Sequence, residues 1–412
     1  MFIIGVMLLY FVDSLDLEYV KDNLARCLDG SRGSYYFQKG DQDGKNKFLI
    51  HFEGGDLILG SSEEEYFKNA IIKQVTQYGS SLNRALNIEL NGLLSQNQGQ
   101  NINFYDWNII YINSCDGTGH QGFRQSPIIY KEQLIYFRGE SIIKSIIAQY
   151  NTQLQNSEAI ILSGCSIGAI AALQWSHYIS QIIPNYVSLL CIADSGILID
   201  MQSIDGSEML KQSLKIMNYL VNTESDVPLQ NCARNYPNQS WKCFYFQNLL
   251  NFITTPVFLI QSLYDIGFLQ GYLNIACIKD LTLNNCSTTE KDYIDYVYNQ
   301  FQVTIKNKTS LNRKIGSFAP SYFLLDFLFS LFLNSASFSM NWSIPEKSGK
   351  TVSQTLSKWI EIQQKNQSNE DQIVLIDDVY WPNNEPCALL ASEQTFTRYM
   401  NILYFLFIII NF

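Results

Sequence analysis

The apolar run Ala159-Ile160-Ile161-Leu162-Ser163 leads into Gly164-Cys165-Ser166-Ile167-Gly168, and Ala169-Ile170-Ala171-Ala172-Leu173-Gln174-Trp175 continues it in helix-forming residues. A strand, a sharp Gly-x-Ser-x-Gly turn and a helix are thereby fixed in order. Glycine at 164 and 168 lets the backbone turn tightly enough to expose the Ser166 hydroxyl, and the helix N-terminus sets unpaired N–H groups and a positive dipole end beside it. Ser166 is the candidate nucleophile, with the N–H of Ile167 as a candidate donor to a developing oxyanion. The plainer reading is a glycine-rich turn that packs a helix on a sheet.

The rest of the chain repeats this alternation. Lys47–Phe52 reads as a strand running into the turn Glu53-Gly54-Gly55-Asp56, followed by an amphipathic stretch over 63–78 and a polar loop over 95–103. Residues 107–112 form a strand that ends at Cys115-Asp116-Gly117, 133–138 another, and 140–150 a helix. Strands over 187–193 and 256–261 deliver Asp194-Ser195-Gly196 and Ser262-Leu263-Tyr264-Asp265, while 222–255 reads as an inserted cap or loop. Alternating strands and helices predict an α/β fold with a central, mostly parallel sheet covered by helices on both faces. Ligands in such sheets bind beyond the C-terminal strand ends, which is where Gly54-Gly55, Ser166, Asp194 and Asp265 fall.

A net charge of −10 and the lack of a Lys/Arg cluster argue against a nucleic-acid partner. Three histidines give no basis for a metal centre, and no motif calls for a cofactor. Nine cysteines without a Cys-x-x-Cys pair read as disulfides, at least one thiol being left over; Cys165, small and inside the elbow, is the expected one. Residues 1–14 read as a signal peptide, 15–395 as one domain and 396–412 as an apolar C-terminal tail. Sequons at Asn238, Asn285, Asn307, Asn341 and Asn366 fit a secreted, glycosylated surface. The tail is shorter than the roughly 20 residues of a spanning helix; it is either a lipid-anchor signal giving membrane attachment or a buried terminal strand.

The ordered motifs resemble the pectin acetylesterase and Notum family of secreted serine carboxylesterases. They are Phe52-Glu53-Gly54-Gly55, Cys115-Asp116-Gly117, Phe137-Arg138-Gly139, Ser163-Gly164-Cys165-Ser166, Asp194-Ser195-Gly196 and the segment Thr255-Pro256 to Tyr264-Asp265, with Cys27-Leu28-Asp29-Gly30-Ser31 and Trp381-Pro382 near the ends. The resemblance implies an α/β-hydrolase-like fold with Ser166 as nucleophile, Asp265 as the triad carboxylate, and an oxyanion hole from the N–H groups of Gly55, Asp56 and Ile167. It also implies an acylated carbohydrate or other extracellular ester as substrate. The chain departs from the family at Asp56-Leu57-Ile58, at Ile167, and most at the histidine: where the family reads Ser-Cys-x-x-His, Ser321 is followed by Tyr322, Phe323, Leu324 and Leu325.

Leu325 thus occupies the base position, inside a run over 322–333 made almost wholly of Phe and Leu. That run is either non-coding sequence carried into the protein sequence or a true replacement. Three histidines remain as substitutes. His177, eleven residues past Ser166 on the same helix, is about 16 Å away. His51 reads as a packing residue inside a strand, and His120, on a loop at the correct edge of the sheet, is the candidate substitute base, or else a substrate contact or an exposed residue. Two functions follow: a serine carboxylesterase that removes acyl groups, or an inactive relative that keeps the pocket for binding.

Overall fold

The structure is a computed structural model that describes residues 14–55, 57–220, 230–278, 283–321, 323–324, 349–365 and 372–380. The expected signal peptide up to residue 13, the 396–412 tail, Asp56, Leu325 and most of 322–333 lie outside the described residues. In chain order the first strands are β1 (Leu15–Tyr19), β2 (Ser34–Gln38), β3 (Lys47–Phe52), β4 (Asn87–Ile88), β5 (Asn108–Ile112), β6 (Ile128–Tyr130) and β7 (Gln133–Ile135). They are followed by β8 (Ala159–Cys165), β9 (Ser188–Asp194), β10 (Val257–Ile260), β11 (Tyr264–Asp265), β12 (Ile315–Ala319), β13 (Phe323–Leu324) and β14 (Val374–Ile376). Helices are α1 (Glu63–Gln74), α2 (Gly139–Gln155), α3 (Ile167–Ile182), α4 (Met209–Leu220), α5 (Gln230–Asn235), α6 (Phe246–Leu249), α7 (Thr288–Leu311) and α8 (Val352–Lys365).

Ten strands form one sheet in the order β14-β12-β10-β9-β8-β3-β5-β2-β1-β4. From β14 to β5 every neighbouring pair is parallel. Beyond β5 the pairs β5·β2, β2·β1 and β1·β4 are antiparallel. The sequence predicted the parallel part; the antiparallel edge is an addition it did not predict.

Side chains alternate across the strands, so each strand feeds two cores. Phe48, Ile50 and Phe52 of β3 join Ile160 and Leu162 of β8 against α1, α2, α3 and α7. Leu49, Ile161, Ile192, Phe258 and Phe318 face the other way, onto Val352, Leu356 and Trp359 of α8. Strands β5, β8, β10 and β12 are buried at every position, as strands covered on both faces must be. Helix α7 begins with a capping box between Ser287 and Glu290, which satisfies the orphan N–H groups of its first turn.

Three expected boundaries move. The strand expected over 133–138 is only β7, paired with β6 in a separate hairpin whose turn residues Lys131 and Glu132 sit at φ 46° and 65°. Helix α1 stops at Gln74 because the chain folds back over its end: a Cβ on Gly79 would lie 2.2 Å from the Lys73 carbonyl oxygen. Helix α2 is longer than expected, Gly139–Gln155.

Disulfides join Cys27 to Cys115, Cys232 to Cys243 and Cys277 to Cys286. The first ties the Cys-Leu-Asp-Gly motif to the Cys-Asp-Gly motif across a separation of 88 residues. Cys165 and Cys191 are buried thiols outside these bridges.

Candidate active site

At the end of β8 the chain reverses into α3 through Ser166, whose backbone stands at φ 54°, ψ −124°. A non-glycine residue there is strained by about 1–3 kcal/mol, and close packing of the backbone around it maintains the strain. A Cβ on Gly164 would lie 2.1 Å from the Gly168 carbonyl oxygen, and one on Gly168 would lie 2.1 Å from that of Phe52. Only glycine fits either position. The Ser166 N–H donates to the Asp194 carbonyl at 2.8 Å, and its own carbonyl accepts from Ala169 N–H at 3.0 Å. Ser166 is half-buried, and Ile167, the first residue of α3, has an N–H with no carbonyl four residues back inside the helix.

The turn after β3 lies against this elbow. A Cβ on Gly54 would sit 2.4 Å from the Cys165 carbonyl oxygen and 3.2 Å from the Ser166 Cβ, so the Gly54-Gly55 turn and the serine share one corner. Gly55 has φ 87° and packs on the Tyr78 ring. Below it Glu53 is buried and bidentate to Arg84, with oxygens 2.7 and 2.6 Å from Nη1 and Nη2. Burial works against the guanidinium charge, but the Glu53 carboxylate outweighs it and leaves Arg84 more firmly protonated than a free arginine. The same carboxylate accepts from Ser114 N–H at 2.8 Å. Asp56, expected to complete the hole, lies outside the described residues.

On the other side, β9 and β10 carry the site toward Asp265. Cys165 is in register with Asp194, Asp194 with Ile260, and Ile260 with Phe318. Asp265 is buried; its Oδ1 accepts from Phe268 N–H at 2.9 Å and its Oδ2 from Gln261 Nε2 at 2.8 Å. Burial pushes its pKa up to about 6 against those two hydrogen bonds, and the Asp194 charge pushes the same way. Gln261 also accepts from Ile197 N–H at 3.0 Å, tying the Asp194-Ser195-Gly196 turn to the aspartate. The two-residue strand β13 runs parallel to β11, with Leu324 in register with Asp265. Asp377 anchors the approach to β13, its Oδ2 accepting from Ser321 N–H at 2.9 Å.

Residues 11–388 match the pectinacetylesterase family. The chain belongs to that family. Its relatives include pectin acetylesterase 5 of Arabidopsis thaliana, 26% identical over 92% of this chain and 84% of that protein. The palmitoleoyl-protein carboxylesterase notum2 of Xenopus laevis is 22% identical over 95% of this chain and 77% of that protein. Among solved structures the Drosophila Wnt deacylase Notum superposes with a TM-score of 0.74 at 19% identity, covering 91% of this chain and 100% of that one. The fold is therefore the Notum-like α/β-hydrolase fold, and the family is one of carboxylic ester hydrolases.

Within this pectinacetylesterase fold the histidines take definite places. His51 is in the core, stacked on Tyr111 with Nδ1 2.8 Å from Ser163 Oγ, and burial pushes its pKa down to about 3. His177 meets Gln181 one turn along α3. His120 lies on a loop as expected, but its exposed alternative is corrected: it is 2% exposed, and its Nε2 lies 2.8 Å from the Glu53 carbonyl oxygen. A carbonyl only accepts, so Nε2 is the donor. Gln261, Arg84 and Asp377 carried no sequence signal; their roles depend on partners 4, 31 and 56 residues away.

Proposed function

We propose that the chain is a carboxylesterase of extracellular acyl esters in which Ser166 is the acyl-accepting nucleophile and Asp265 the carboxylate that orients a base. The observation that carries this reading is the left-handed φ of 54° at Ser166, maintained by two glycines and set against the Gly54-Gly55 turn. Strain at a tight strand-to-helix turn with a half-buried serine at its apex fits a nucleophile elbow. The N–H groups of Gly55, Asp56 and Ile167 supply the oxyanion hole, each donor worth roughly 3–4 kcal/mol in the transition state. The base belongs at position 325, one residue beyond the pairing of Leu324 with Asp265, and this sequence has leucine there. Acylation of Ser166 by reactive esters is retained and turnover is slow.

The names of the relatives point to two substrate classes: acetyl groups on pectin-like polysaccharide and a fatty acyl group on a protein. Three disulfides support an oxidising compartment, and Asn238, Asn285 and Asn307 are exposed sequon positions open to glycans. A fluorophosphonate probe is expected to label the wild type and not Ser166→Ala, and p-nitrophenyl acetate hydrolysis to stay close to the Ser166→Ala control. Absence of Ser166-dependent labelling replaces this reading with that of a secreted binding module.

A further inference from the structure

Every polar group of Glu53 is engaged. Its carboxylate is fixed by Arg84 and Ser114 N–H, its own N–H donates to the Ile112 carbonyl at 3.1 Å, and its carbonyl accepts from His120 Nε2 at 2.8 Å. The carbonyl bond differs from the others in where its donor is fixed. The His120 carbonyl accepts from Trp175 Nε1 at 3.2 Å, and Trp175 lies on α3. The ring meets Phe52 edge-on with centroids 5.5 Å apart, and a Cβ on the preceding Gly119 would touch Ile167 Cγ1 at 2.6 Å. The His120 N–H reaches Asp116 Oδ1 at 3.4 Å, and Asp116 Oδ2 accepts from Gly139 N–H at the start of α2. His120 therefore stands between the Gly54-Gly55 turn, which offers one set of oxyanion donors, and α3, which offers the other.

The geometry points to His120 as a positioning residue: its imidazole, donating from Nε2 to the Glu53 carbonyl while its backbone is tied to α3, sets the two halves of the oxyanion hole facing each other. It deepens the nucleophile reading of Ser166 and rests on it, and it takes His120 out of consideration as the substitute base. Preorganised donors are effective only when correctly aimed, and a displacement of about 1 Å costs on the order of 100-fold in rate.

The test compares wild type with His120→Phe, which keeps a flat ring and loses the donor, and His120→Gln, whose amide reaches the place of Nε2. Two readouts are taken on each: the second-order rate of Ser166 labelling by a fluorophosphonate, and hydrogen exchange of the backbone over 52–59, which is independent of serine chemistry. His120→Phe is expected to slow labelling about 10- to 100-fold and to speed exchange over 52–59, and His120→Gln to recover most of both. Should His120→Phe fail to fold, His120→Asn, whose amide stops short of the Glu53 carbonyl, replaces it. Equal loss of labelling in both variants with exchange unchanged overturns the proposal in favour of a base. Unchanged exchange and labelling in both overturns it outright. If the wild type shows no Ser166-dependent labelling, the nucleophile reading fails separately and exchange alone decides: faster in His120→Phe and restored in His120→Gln supports the positioning role, and no difference ends it.

Discussion

The Ser166 side and the Asp265 side of the candidate site are built by different means. Around Ser166 the structure is made of backbone: glycines with no room for a Cβ, a carbonyl accepting the Ser166 N–H, and the free end of α3. Around Asp265 it is made of side chains and one short pairing: Gln261 on one carboxylate oxygen, Phe268 N–H on the other, Leu324 in register beside it. Backbone devices tolerate side-chain change, so the N–H of Ile167 is present whatever side chain that residue carries. Side-chain devices do not, and under the proposed function leucine at 325 leaves that position without a base.

The largest expected effect tests the Asp265 side. Leu325→His is expected to raise Ser166-dependent hydrolysis of p-nitrophenyl acetate by about 10²–10⁴-fold, the usual worth of a positioned general base. No gain breaks the proposal that position 325 is the place of the base.

On the Ser166 side, Gly168→Ala pushes a methyl to 2.1 Å from the carbonyl oxygen of Phe52, the last residue of β3, whose backbone is held between β5 and β8. A loss of about 3 kcal/mol or more in urea denaturation, or no folded protein, is expected. Near-normal stability indicates that the elbow is softer than the Asp265 side and reverses the comparison.

A smaller effect follows from Gln261→Leu, which deprives a buried carboxylate of a donor. It is expected to cost about 1–3 kcal/mol and to raise the pKa of Asp265 further above about 6, read by carbon-13 NMR of the labelled carboxyl. An unchanged titration shows that Phe268 N–H alone fixes the aspartate.

The pH dependence sharpens the same point. Asp265 titrates near 6 when folded against 3.8 for the reference carboxyl, so between those values the folded state binds a proton that the unfolded state does not. Stability from this group therefore falls as pH rises from about 4 to about 6. Denaturation midpoints of wild type relative to Asp265→Asn are expected to decline across that window. A rise instead indicates that hydrogen bonding outweighs burial at this carboxylate.

The sequence by itself determined the parallel strands from 47 to 260, the elbow, the glycine turn and the family, because these depend on local patterns: period-two and period-3.6 apolar spacing and glycines where the backbone turns. Tertiary structure alone decided the antiparallel edge β2-β1-β4, whose short strands have partners up to about seventy residues away, as in Asp16 with Asn87. It alone joined Cys27 to Cys115, set Gln261 and Phe268 on Asp265, and buried the His120 ring as a donor to Glu53 beside the Gly54-Gly55 turn. A hydrogen bond between His120 and Glu53 closes a loop of 67 residues. No periodicity encodes such a closure; it exists only once the sheet has brought β3 beside α3 and the loop after β5 has nowhere else to pack.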